Sequence, residues 1–227
     1  MRSRILTAAL ALSVAVSLRA QQKSPSERWE KEIQGFEAAD RVKPPPEGAV
    51  LVIGSSIIRL WKTLQEDFPQ HTMINRGFGG SQIADSVYYA DRIVIPYKPR
   101  MIVLYAGGND INAGKSPETV FEDFKAFVAR VRAGLPDARI AYMSSSPSIA
   151  RWAQADKQRK MNQLIREYIA QGADMDFIDS FDAYLGPDGT PRPELYVADR
   201  LHNSPEGYKV RAALLRPYLE KFKTPGR

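Results

Sequence analysis

There is no cysteine anywhere in the 227 residues. That removes disulfides, thiolate nucleophiles, thiolate-held zinc and lipid attachment at a thiol. Export does not require disulfides, so the absence leaves a secreted destination open. Histidine is almost as scarce, with only His71 and His202. Metal catalysis would then rest on carboxylates, and these do not cluster at ligand spacing, so no metal is expected. A basic stripe is also missing. The formal net charge is +6, but setting aside Arg2, Arg4 and Arg19 at the N-terminus takes the 32 basic residues to 29 against 26 acidic ones. Charges of both signs alternate in "ERWEKE" and "RLHNSPEGYK". No basic patch carries interleaved aromatics, so nucleic acid is not an expected partner.

Long apolar runs are absent except at the N-terminus. Arg2 and Arg4 precede a mostly apolar stretch from Ile5 to Leu18, and polar "QQKSPSE" follows. Fourteen residues are short for a bilayer span and right for a secretory leader. Residues 1–20 are therefore expected to be a signal peptide, cut after Ala20 or after Ser17. An uncleaved anchor is the weaker alternative. The remaining 21–227 are of one-domain length, with no stable membrane insertion once the leader is gone. The expected location is secreted or periplasmic. Nothing in the sequence sets the oligomeric state.

Ser24-Pro-Ser-Glu27 has the form of a capping box with proline at the first helical position. Trp29, Ile33 and Phe36 then recur at helical spacing, which predicts a helix over about 25–40. Beyond "KPPPEG" the chain alternates. Strand-like runs cover Ala49–Ile53, Thr72–Asn75, Met101–Ala106, Arg139–Met143 and Asp176–Asp179. Between them lie helical faces, one made by Val120, Phe121, Phe124, Val128 and Val131, another by Met161, Leu164, Ile165, Tyr168 and Ile169. Ser204-Pro205 opens a last helix with Tyr208, Ala212, Leu215 and Leu219. Short apolar strands alternating with helices predict an α/β fold, a three-layer α/β/α sandwich around a five-stranded, parallel, doubly wound, flavodoxin-like sheet.

In such sheets ligands bind beyond the carboxyl ends of the strands. Those ends carry Gly54-Ser55-Ser56, then "NRGFGGSQ" (75–82), then "AGGND" (106–110) and, after a loop with "GPDGTPRP", "DRLH" (199–202). Serine needs a base to become a nucleophile. His71 precedes the second strand and belongs to the opposite end of the sheet, so the base is His202. Asp199, three residues earlier, is placed to orient its Nδ1. The Gly80 amide, the Asn109 side chain and the Ser56 amide are candidate oxyanion donors. A tight turn after Gly54 favours the second serine, at the helix start, as the nucleophile.

"GSS", "GFGG", "GGND" and "DRLH" resemble, in order, the four blocks of the SGNH (GDSL-type) hydrolases, over most of the chain beyond Ala49. The resemblance implies Ser56 as nucleophile, Gly80 and Asn109 as oxyanion donors, and Asp199 and His202 as acid and base. It also implies the sandwich fold and cofactor-free ester hydrolysis. Ser55 stands where many members carry Asp, and Ile57 where Leu or Ser is common.

The blander readings are these. Gly-Ser-Ser between strand and helix is, alone, more often a helix cap than a nucleophile. Ser55 is expected to bond within the turn. Ser81 lacks a G-x-S-x-G setting and is expected to cap a helix. Asp110 is expected to hold the turn that contains it. Trp61 is expected in the core, and Trp152 is either a substrate platform or a packing residue. "GFGGSQ" fails the dinucleotide fingerprint at Gln82, and "GKS" at Gly114 fails the P-loop spacing. The expected function is hydrolysis of short acyl esters, such as acetyl on a carbohydrate or small molecule. Acyl transfer to a sugar hydroxyl at the same site, and a non-catalytic carbohydrate-binding relative, are the alternatives.

Overall fold

The computed structural model describes residues 24–221, so the leader expected at 1–20 lies outside the described residues. The chain runs through α1 (Glu30–Val42), β1 (Val50–Gly54), α2 (Ser56–Arg59), α3 (Leu64–Asp67), β2 (Met73–Gly77), α4 (Ile83–Ile93) and β3 (Met101–Tyr105). It continues through α5 (Gly108–Asn112), α6 (Pro117–Gly134), β4 (Arg139–Met143), α7 (Ala155–Gln171), β5 (Met175–Ile178) and α8 (Pro205–Glu220). The sheet order is β2-β1-β3-β4-β5, every pairing parallel. This is the expected doubly wound sandwich, and strand boundaries shift from the predicted ones by no more than two residues.

The strands are apolar throughout because both faces are covered. Alternate residues feed two cores. Leu51, Ile53, Ile102, Leu104 and Ile140 pack under α1, α4, α6 and α7. Val50, Val52, Met101, Val103 and Met143 pack against Trp61, Leu64 and the Ala212, Leu215 and Leu219 face of α8. Each such side chain, fully buried, contributes about 1.5–3 kcal/mol. Trp61 is in this second core, as expected.

The capping box at Ser24 forms, with Ser24 Oγ accepting from the Ser26 amide and Glu27 from the Ser24 amide. It opens a 3-10 turn, Pro25–Trp29, that runs into α1. This N-terminal segment is bound to α4 by the Tyr89 hydroxyl, which donates to the Ser26 carbonyl at 3.0 Å, and by one buried carboxylate. Asp85 accepts from Ser26 Oγ at 2.7 Å, Trp29 Nε1 at 3.0 Å, Arg28 at 3.1 Å and the Gln82 amide at 2.8 Å. The sequence reading did not single out Asp85.

Two glycines set the shape of the strand ends. A Cβ on Gly54 would lie 1.9 Å from the Tyr105 carbonyl oxygen, so there is no room for a side chain where the serines begin. Gly79 has φ +40°, and a Cβ there would fall 1.9 Å from the Trp29 ring. The chain can therefore pass beneath that indole only as glycine.

Candidate active site

Ser55 and Ser56 leave β1 together and diverge. Ser56 is the first residue of α2, half-buried, with its hydroxyl 2.8 Å from His202 Nε2. The other ring nitrogen, Nδ1, lies 2.6 Å from Asp199 Oδ2. Oδ1 of the same carboxylate accepts the Leu201 and His202 amides, each at 2.9 Å. One side chain thus fixes both the loop and the ring. The bond from His202, before all else, holds the Asp199 carboxyl down to about 2. It is an anion across the whole neutral range.

Asn109, in α5, donates through Nδ2 to the Ser81 carbonyl at 3.1 Å. A Cβ on the exposed Gly80 would sit 3.7 Å from the same Nδ2, so the second and third blocks meet at that nitrogen. Neither the Ser56 nor the Gly80 amide has a protein acceptor among the described residues. Ser56, Gly80, Asn109, Asp199 and His202 therefore stand at one edge of the sheet, from loops spread over about 150 residues. His71 lies at the other end, beside Arg100 at 2.7 Å.

Two expectations about neighbouring residues need correction, and a third is widened. Ser55 caps α2 through its carbonyl, which accepts the Ile58 and Arg59 amides, and its side chain makes no cap bond. The extended backbone at Ser55, ψ −155°, turns the hydroxyl away from those amides and into the cleft. Ser81 is not the helix cap either. Gln82 fills that position in a box with Asp85, while the buried Ser81 hydroxyl donates to the Gly54 carbonyl at 3.2 Å and ties the second block to the first. Asp110 holds more than its own turn. It accepts the Ile83 amide at 3.2 Å and Lys115 at 3.1 Å, which fastens the start of α4. Burial, opposed by Lys115, pushes its carboxyl above the usual range.

The cleft beside Ser56 has about 40 Å³ of internal space. Its walls include Ser55, Ser145, Ser148, Gln158, Arg151 and Arg211. Both arginines escaped the sequence reading, because an arginine in a loop or a helix ordinarily signals a solvated face. Arg211 is fully buried with no carboxylate partner among the described residues. It donates to Asn203 Oδ1 and Ser146 Oγ, each at 2.7 Å, with its guanidinium carbon 3.9 Å from the Tyr105 ring centre. Asn203 follows the histidine directly, so Arg211 pins the loop from below. Trp152 is half-exposed and lines a separate groove with Pro191, Pro193 and Val197. Tyr196 borders both that groove and the cleft. Among the described residues no three histidine or carboxylate side chains converge as a metal-ligand set.

A parallel α/β/α sandwich with a hydroxyl, an imidazole and a carboxylate in line at its carboxyl edge defines a class of α/β hydrolytic folds. The model of the GDSL-like lipase/acylhydrolase family matches residues 54–210, and the chain belongs to that family of ester hydrolases. Bovine (Bos taurus) platelet-activating factor acetylhydrolase IB subunit alpha1 is 28% identical over 210 residues, covering 87% of this chain and 84% of that protein. A Streptococcus pneumonia protein named for platelet activating factor superimposes with a TM-score of 0.75 at 25% identity, over 85% of this chain and 93% of its own. A GDSL-like lipase from Bacteroides thetaiotaomicron shares the fold, with a TM-score of 0.69 at 21% identity over 83% and 97% of the two chains.

Proposed function

We propose that this chain is a serine ester hydrolase for short acyl groups, with acetyl esters of carbohydrates or small molecules as its substrate class. The observation that carries the reading is the unbroken relay from Asp199 to His202 to Ser56, at 2.6 and 2.8 Å. Ser56 Oγ attacks the ester carbonyl carbon while His202 Nε2 takes its proton. The carbonyl electron pair moves onto oxygen, facing the Ser56 amide, the Gly80 amide and Asn109 Nδ2. Asp199 stays ionised and stabilises the imidazolium. As the tetrahedral intermediate collapses, His202 returns the proton to the departing alcohol oxygen and an acyl-Ser56 ester remains. Water repeats the sequence. Its proton goes to His202, its oxygen to the acyl carbon, and the acid leaves as Ser56 recovers its hydrogen.

Two features support a short acyl group. One water needs about 10–15 Å³ of such space, so 40 Å³ suits a group of two or three heavy atoms. The walls mix hydroxyls, an amide and guanidinium groups with Ile57, Tyr105, Tyr196 and Leu201, and a long alkyl chain would leave those polar groups unpaired. The bovine relative, an acetylhydrolase by name, points the same way. Export through the 1–20 leader belongs to the same reading. The test is a panel of p-nitrophenyl esters from acetyl to decanoyl, run beside acetylated sugars with products analysed in the presence of sugar acceptors. The acetyl ester should be turned over fastest, with acetate as the product. Fastest turnover of decanoyl esters refutes the acyl assignment, and acyl sugar as the main product replaces hydrolysis with transfer.

A further inference from the structure

We propose that Arg151 is a positioning residue of the oxyanion site, holding the Asn109 carboxamide by its oxygen so that its N–H groups face the reacting carbonyl. The inference rests on the roles given to Ser56 and Asn109 above. The Asn109 carboxamide is gripped at both ends. Its Oδ1 accepts from Arg151 Nη1 at 2.9 Å, and its Nδ2 donates to the Ser81 carbonyl at 3.1 Å. Nδ2 carries two hydrogens, and Ser81 takes one. The second is left for a substrate oxygen on the side of Gly80.

The terminal torsion of an asparagine is broad and close to two-fold, so packing alone holds such a group weakly. A flipped amide would present an acceptor where negative charge develops. A guanidinium has donors only, so it donates to the oxygen end and cannot pair with the nitrogen end. The charge-assisted bond also draws electron density from the amide and strengthens the opposite N–H as a donor.

The surroundings of Arg151 fit this task. It is half-buried, lines the cleft and makes no ion pair among the described residues. Its other hydrogen bond goes to the Gly108 carbonyl at 3.4 Å, one residue before Asn109. Its 3-10 turn, Ile149–Gln154, is fastened to the histidine loop, because the Ala150 amide donates to the Arg200 carbonyl at 3.1 Å. A single turn thereby sets the oxyanion donor against the loop that carries Asp199 and His202.

The test is a double-mutant cycle on the full chain with p-nitrophenyl acetate, using Arg151→Ala, Asn109→Ala and the double variant, with the fold checked by circular dichroism. Arg151→Ala should lower kcat about tenfold or more and leave KM within about twofold. In the Asn109→Ala background the same change should cost under about twofold. An equal loss in both backgrounds, an unchanged kcat, or an effect on KM alone overturns the proposal. If Arg151→Ala does not fold, Arg151→Met keeps the stem packing and is read by the same criteria. Activity surviving in Ser56→Ala sinks the underlying reading, whereas an inactive Ser56→Ala with a flat Arg151 series sinks only this inference.

Discussion

The two serines give the sharpest test. Removing Ser56 Oγ takes away the atom 2.8 Å from His202 Nε2 and leaves the imidazole without a proton to accept. Losing the nucleophile of such a relay costs about 10⁴–10⁶ in kcat, and binding with the remaining donors leaves a small residual rate. Ser55 is 7% exposed, and its hydroxyl forms no cap bond. Ser55→Ala then deletes one unbonded hydroxyl. The expected cost is about 0.5 kcal/mol or less, below the ~1 kcal/mol of a typical buried hydrogen bond. Its kcat should stay within about threefold. The assay combines p-nitrophenyl acetate turnover, labelling by an organophosphonate with peptide mapping, and urea unfolding. Label on Ser56 in wild type and Ser55→Ala, and none in Ser56→Ala, is the expected result. Phosphonate found on Ser55, or wild-type turnover by Ser56→Ala, would refute the argument.

Further outcomes follow from the same geometry. Asn109→Ala should lower kcat by about 10²–10³, with a smaller change in KM, and a rise in KM alone would make it a binding residue instead. Because Asp199 is held near 2, it stays charged from about pH 4 upward and should add no step of its own to the pH profile of kcat/KM above that, and activity should be insensitive to chelators. A loss of activity above about pH 4 that disappears in Asp199→Asn, or activity lost to EDTA and restored by a divalent metal, contradicts this. The sign for stability follows too. The depressed Asp199 carboxyl contributes stability above its ordinary value near 3.8, and that contribution is lost as pH falls toward 2. Asp85→Ala removes the acceptor of four donors and should cost about 2–3 kcal/mol in urea unfolding, since the buried Ser26 hydroxyl loses its partner while the half-exposed Arg28 can rehydrate. A loss below about 1 kcal/mol would mean that the N-terminal segment is not anchored there.

The sheet was legible because strands buried on both faces must be apolar at every position, and Leu51 or Ile102 has no polar alternative. The site was legible to the same degree, since a doubly wound topology sends every strand end to one edge. What escaped was direction. Whether Ser55 caps, or Ser81 reaches the Gly54 carbonyl, depends on local torsions that residue identity does not fix. Arg151 and Arg211 escaped for another reason. Arg151 reaches a partner 42 residues away in sequence and Arg211 one 65 residues away as well as Asn203, and no local pattern distinguishes either from surface charge.

Arg211 also ties the candidate site to the last helix. Ser56, Gly80 and Asn109 lie in the first half of the chain, but His202 lies near its end, and the guanidinium beneath its loop stands nine residues later on α8. On the reading proposed above, the relay closes only when α8 is docked and Arg211 is buried beneath the loop of His202. Loosening that last helix should therefore silence the site although Ser56, Asn109 and His202 are all still present.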